Sequence, residues 1–279
     1  MESIAPAPAL EPAGVSPAGR TITVFSPKGG TGKTTIATNL AVALHQGGRR
    51  RVCLLDLDLE FGDVAISLSL EPIKSLVDAV TGGVERDEDD AIALLLTEYR
   101  PGLDCILAPI EPGDAVKIPP DIVTALLTVL PYRYDYIVVD TPSQLSENVL
   151  AALDASDHHV LIANPEIPSL KNLRLTLDML DLLRYGHDMR SIVFNRADDA
   201  SGLTDADVQN ALRAPVAAHV PASRDVPASI NRGVPIVAAK PDHPVSKAIR
   251  RFAADVIIGE SGSPHHREGR GRLFRRRSA

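Results

Sequence analysis

The stretch SPKGGTGKTT, residues 26–35, constrains this chain more than any other, because of what stands on either side of it. Before it, TITVF (Thr21–Phe25) is a β-branched strand candidate; after it, TTIATNLAVALHQ (Thr34–Gln46) repeats apolar residues at helical spacing. A strand, a glycine loop and a helix N-terminus in that order make an anion site, since unpaired N–H groups and the helix dipole point at one place. The phosphate-loop pattern G-x-x-x-x-G-K-[ST] uses glycines for close backbone approach, the lysine for the β/γ-phosphates and the hydroxyl for Mg2+. Gly32, Lys33 and Thr34 fit it, with Gly29, Gly30, Thr31 and Thr35 completing the cradle, while Pro27 stands in place of the first glycine. The pattern leaves Lys28, five residues ahead of Lys33, unexplained.

Carboxylates follow at the ends of two further strand candidates. RVCLLDLDLEFGDVA (Arg51–Ala65) runs into Asp56 and Asp58, and YIVVD (Tyr136–Asp140) ends in Asp140, followed by Thr141, Pro142 and Ser143. In an open α/β sheet, ligands gather at the carboxyl ends of strands, so acids there face a metal ion or an attacking water. An apolar run ending in one carboxylate is also the form of a Walker B strand, whose aspartate holds Mg2+. A third strand candidate, SIVFNRAD (Ser191–Asp198), carries Asn195, and asparagine is also a routine turn former.

Taken together, PKGGTGKTT resembles the deviant Walker A motif of the MinD/ParA group of P-loop ATPases, in which the early lysine is the signature residue. The resemblance spans about Thr21 to Ile258 and implies a single α/β domain: a mostly parallel central sheet flanked by helices on both faces. It implies ATP and Mg2+ as cofactors, hydrolysis of ATP to ADP and phosphate, and an ATP-dependent homodimer. Lys28 would then reach the nucleotide of the second subunit while Lys33 serves its own. By motif position Asp58 orients the hydrolytic water, Thr34 and Asp140 hold the metal with Asp56 near its shell, residues 141–143 form a γ-phosphate sensor, and Asn195 contacts the adenine. Residues 220–235 lie where the family wraps a loop around the base.

Within that group, DLDLEFGDVAISLSLEP and DTPSQLSENVLAALDASDHHVLIANPEIPSLKNLRLTLDML look most like the CpaE/TadZ branch, associated with tight-adherence (Flp) pilus assembly. That branch commonly carries an N-terminal receiver-like domain, whereas about twenty residues precede the first strand here. The expected function is a slowly hydrolysing dimerisation switch that positions a pilus or secretion apparatus, with assembly proteins of that machine as partners. DNA segregation of the ParA kind, division-site placement of the MinD kind, and a nucleotide-binding scaffold without turnover are the alternatives.

Composition agrees with such a domain. Over 279 residues, a hydrophobic content of 44% supports a sizeable core, and a net charge of −7 argues against a surface coated in basic residues for nucleic acid. Cys53 and Cys105 sit in apolar strand candidates without a CxxC spacing, so buried small side chains are expected rather than a metal knuckle. No signal peptide or spanning run is visible, which leads us to expect a cytoplasmic protein, and the resemblance implies recruitment to the membrane or a cell pole. Residues 1–20 read as a disordered Pro/Ala-rich lead-in, 21–258 as the ATPase domain and 259–279 as a flexible basic tail. That tail, with only Leu273 and Phe274 as apolar anchors, would attract anionic lipid weakly, at about 1 kcal/mol per basic residue near the surface. DNA would attract the same charges. Residues 121–130, 170–183 and 245–257 have the spacing of helices that flank a sheet, and 85–90 of a solvated loop leading into a helix. His158 and His159, ahead of an apolar strand, and His265 and His266 in the tail lack a third metal ligand nearby in sequence.

Overall fold

The computed structural model describes residues 19–81, 88–111, 113–197 and 202–259. Residues 1–18 of the sequence-predicted lead-in, 85–87 of the acidic stretch and 260–279 of the basic tail, with His265 and His266, fall outside these residues, whereas Arg20, expected in the lead-in, already belongs to the first strand. Eight strands are described: β1 (Arg20–Phe25), β2 (Val52–Asp56), β3 (Leu96–Arg100), β4 (Leu103–Ile106), β5 (Tyr136–Asp140), β6 (His158–Ala163), β7 (Arg190–Ala197) and β8 (Val216–Pro221). They form one sheet in the order β3–β4–β2–β5–β1–β6–β7–β8, parallel except for the antiparallel edge pair β3–β4. The expected single α/β domain with a mostly parallel sheet is thus the architecture found.

Between the strands lie α1 (Lys33–His45), α2 (Asp63–Ser67), α3 (Asp78–Thr81), α4 (Glu88–Ala93), α5 (Pro120–Val129), α6 (Glu147–Ala155), α7 (Ile167–Leu182), α8 (Asp205–Leu212), α9 (Asp225–Ile230), α10 (Ile236–Ala239) and α11 (Pro244–Phe252). A π-helical turn, Ala253–Ile258, extends α11 to the end foreseen from its apolar spacing. Residues 220–235, expected as a loop, instead contain the last two residues of β8 and the whole of α9.

Helices cover both faces of the sheet, and strand alternation decides which side chain meets which layer. On β5, Tyr136 and Val138 pack with α1 and α11, whereas Ile137 and Val139 pack with α5 on the other side. Phe25, Leu161 and Phe194 meet α6, α7 and α8 in a third cluster. Strands covered on both faces must be apolar throughout, which is why β5 and β6 are buried at every position. His158 and His159 are therefore the first two residues of β6 rather than a lead-in to it. Their Nε2 atoms lie 2.9 Å from the Ser191 hydroxyl and the Leu153 carbonyl, and burial pulls the His158 imidazole down to about 4. Cys53 and Cys105 are buried on opposite faces of the sheet, and burial raises both thiols. No described helix is long and apolar enough to cross a membrane.

Helix α1 is buried along nearly its whole length. Asn39, 2% exposed, fixes it at both ends of its amide: Nδ2 donates to the Thr35 carbonyl at 2.8 Å, and Oδ1 accepts from the Val237 N–H of α10 at 3.0 Å. Asn39→Ala would strand a buried N–H, at a cost of about 1–3 kcal/mol. The thermal midpoint is expected to fall by about 2–4 °C for each kcal/mol lost; calorimetry that finds it unchanged would show that α10 does not depend on this contact.

Candidate nucleotide-binding site

The strands that lead into the glycine loop and carry the predicted carboxylates, β1, β2 and β5, lie side by side, and β7, which carries Asn195, lies two strands from β1 across β6. Asp140 ends β5 directly opposite Asp56 on β2, and opposite Val24 on β1, after which the chain enters the glycine loop. A cavity of about 550 Å³ opens at these carboxyl ends. Gly29, Gly30, Gly32, Lys33, Thr34 and Thr35 line one wall, and Asp58, Pro142 and Ser143 another. Gly30 and Gly32 have φ of 73° and 94°, a left-handed conformation that glycine adopts without strain. Gly32 is also the N-cap of α1, with no side-chain cap and no acidic residue in the first turn, so the orphan N–H groups remain available to an anion. Lys33, although 8% exposed, lines the cavity.

Five of the sequence-predicted site residues, Lys28, Thr31, Asp56, Asp140 and Asn195, do not line the cavity. Thr31 is buried, and its hydroxyl donates to the Lys28 carbonyl at 3.3 Å. Asn195 supports the loop from beneath: its Nδ2 donates to the Thr31 carbonyl at 2.7 Å, and a Cβ at residue 32 would sit 2.5 Å from the same nitrogen. Asp56 accepts the backbone N–H groups of Asp58 at 3.0 Å and Val64 at 3.2 Å, so its carboxylate shapes the turn that presents Asp58. Lys28 turns aside to pair with Glu166, the N-cap residue of α7. Sequence reasoning missed Glu60, Phe61, Val116, Gln144, Asn148 and Arg196, all of which line the cavity. Val116 follows β4, so the gathering of ligands at strand carboxyl ends was a usable signal for it; Arg196 offered only its position beside Asn195.

The electrostatics are dominated by buried acid. Asp140 is fully buried, and neither of its oxygens accepts a hydrogen bond from a described residue. Burial drives its carboxyl well above the usual carboxylate range; the nearby Thr34 hydroxyl, which does not close a hydrogen bond, and the Lys33 ammonium offset only part of that rise. Asp56 is raised by burial and then by Asp140. Asp58, half-buried, is raised by burial against the pull of Lys33.

A family profile described as the CobQ/CobB/MinD/ParA nucleotide binding domain matches residues 22–236, most of the chain and all of this cavity's framework. The chain belongs to that family. Its sequence is 27% identical over 226 residues to the septum site-determining protein MinD of Thermotoga maritima, covering 78% of this chain and 81% of that one. Its fold is similar to that of a ParA family ATPase from Chlorobium tepidum, with a TM-score of 0.78, 26% identity, and coverage of 84% of this chain and 98% of the other. It is also similar to MinD from Pyrococcus horikoshii complexed with Mg-ADP, with a TM-score of 0.75, 24% identity and coverage of 87% and 98%. For a member of this nucleotide-binding family, Asp140 is a direct test of whether the residues suit a magnesium ion. A fully buried carboxylate with two unsatisfied oxygens beside a threonine hydroxyl has the hard oxygen ligands such a cation takes, and so the site fits.

At neutral pH the raised carboxyl of Asp140 works against the fold, because the ionised form is the one that burial penalises. Asp140→Asn should therefore stabilise the ligand-free protein, by about 1–3 kcal/mol, and abolish the extra stabilisation that MgADP gives over ADP with EDTA. Thermal shift measurements in both conditions check it; a variant less stable than the parent would mean that Asp140 is satisfied without a cation. Gly32→Ala places a Cβ against Asn195 in a left-handed backbone. It is expected to cost about 1–3 kcal/mol and to remove measurable ADP binding by calorimetry.

Proposed function

We propose that this protein is an ATP-dependent dimerisation switch that hydrolyses ATP slowly and positions a membrane-associated machine. One observation carries the reading: of the two lysines in the phosphate loop, Lys33 lines the cavity and Lys28 does not. A lysine held at the rim by Glu166 has its charge outside its own nucleotide cavity, where a second subunit can receive it. Lys33 would contact the β/γ-phosphates in cis, and Lys28 would offset charge on the γ-phosphoryl group of the second subunit in trans, as an arginine finger does. Gly29, Gly30, Gly32, Thr34 and Thr35 would cradle the phosphates. Thr34 and Asp140 would hold Mg2+, which when bound neutralises phosphate charge, while Asp56 holds the turn that carries Asp58. Asp58 would orient the attacking water, and its place on the cavity wall next to Lys33 supports that role. Residues 141–143 would sense the γ-phosphate, with Thr141 anchored by a 2.7 Å hydrogen bond to the Val24 carbonyl of the loop's own strand. Asn195 would set the loop's shape through Thr31 and present its remaining oxygen toward the base.

The cargo we propose is the assembly machinery of a Flp-type pilus or a related secretion apparatus. The support is the likeness of residues 56–72 and 140–180 to the CpaE/TadZ branch. The basic residues within 259–279 would give weak attraction to anionic lipid beneath the cytoplasmic face of the membrane.

Lys28→Ala should abolish ATP-dependent dimerisation, read by light scattering after gel filtration, and leave nucleotide binding by the monomer intact. A dimer that survives the change sinks the trans-lysine account. Asp58→Ala should slow hydrolysis at least about 100-fold and trap the dimer. Fused to a fluorescent protein in cells, the trapped form should gather at a pole or along the membrane; a signal coincident with the nucleoid would identify DNA as the cargo instead.

A further inference from the structure

Five non-glycine residues among those described have a left-handed backbone: Gln46, Ser69, Arg184, Arg196 and Arg213. Four of them sit just past the ends of α1, α2, α7 and α8, where a left-handed residue is the ordinary way to terminate a helix. Arg196, at φ 56°, is the exception, for it lies inside β7. There it forms a bulge: Asn195 pairs with Val220 and Ala197 with Pro221, which leaves Arg196 as the extra residue. A strictly alternating strand would send residue 196 to the side of Ile192 and Phe194, which pack with α7 and α8. The bulge lets it line the phosphate-loop cavity instead, the only cavity-lining residue from β6, β7 or β8. Its guanidinium forms no hydrogen bond or ion pair with a described residue, unlike that of Arg190 at the other end of the same strand, which bonds Asp181 at 2.5 Å and the Tyr185 carbonyl at 2.7 Å.

Backbone strain at one position, a guanidinium without a partner among the described residues, and a cavity that also holds Lys33 point to one role. We propose that Arg196 is a nucleotide-contacting residue whose guanidinium pairs with a phosphate oxygen of the bound nucleotide, and that the β7 bulge exists to aim it there. This rests on the nucleotide-binding reading of the cavity and adds a second cation to it, from the side of the sheet opposite Asp58. Planar guanidinium donors match phosphate oxygens, and a pairing of that kind recovers the strain of a left-handed arginine only when the anion is present.

The test uses Arg196→Asn and Arg196→Lys in the full chain. Asparagine tolerates a left-handed backbone, so the first variant should fold with an unfolding midpoint no lower than the parent's while losing the charge. Titration with a fluorescent ATP or ADP analogue should show affinity reduced about tenfold in Arg196→Asn for both nucleotides. Arg196→Lys should recover part of that loss, and the deficit should shrink as salt rises, because a charge contact is screened. Unchanged affinity in Arg196→Asn, with the parent binding normally, overturns the assignment. A deficit that salt does not alter would overturn the phosphate contact in favour of stacking on the base. If the parent itself binds neither nucleotide, the failure lies with the nucleotide-binding reading and not with Arg196 alone.

Discussion

A buried carboxylate with nothing to accept from is among the more destabilising things a core can contain, and the structure is arranged around one. Asp140 stands at the end of a strand buried at every position, directly across from a second acid on β2, and its oxygens have no described hydrogen-bond partner. The sheet cannot remove this cost by exposing the group, because β5 lies between β2 and β1 with helices over both faces. What remains is to bring positive charge to it. The first turn of α1 supplies Lys33 and the helix N-terminus, and the proposed Mg2+ would supply the rest. Asp56, opposite, is handled differently: two backbone N–H groups fill its acceptor sites. Two acids facing each other thus divide into one that holds a turn and one whose oxygens have no described partner.

The glycine loop depends on the same economy of contacts. Its left-handed residue 32 leaves no room for a side chain, because Asn195 is already there holding the Thr31 carbonyl. The asparagine and the glycine are therefore one feature divided between β7 and the start of α1. Neither would have the same consequence without the other.

Much of this was legible in the sequence because it lives in local pattern. The alternation of apolar strands and amphipathic helices gave the α/β class, and YIVVD marked the boundaries of β5 to the residue. The loop's position between strand and helix located the cavity. Other properties come from contacts between segments far apart in the chain, and no local pattern carries them. Nothing in RVCLLDLD distinguishes a carboxylate that holds a turn from one that faces the cavity. The part Asn195 plays in holding the loop was not legible, because the carbonyl it bonds lies 164 residues earlier in the chain. The left-handed backbone of Arg196 is set by a register shift against β8, and arginine carries no signal for such a conformation. The antiparallel edge strand β3, with only intermediate and exposed positions, lacks the apolar run that identifies the others.

Helix α1 has a further mechanical consequence. Its 13 residues make a strut about 20 Å long, with the phosphate loop at one end. The turn after its other end lies against Arg250, Ala253, Ala254 and Ile258, at the close of the α11 extension, and Arg20 at the start of β1 donates to the Ile257 carbonyl. The described chain therefore ends at the amino-end edge of the strands, opposite the edge that carries the nucleotide cavity. The last described residue thus stands at the opposite end of α1 from the phosphate loop, so the described chain does not end at the rim of the cavity.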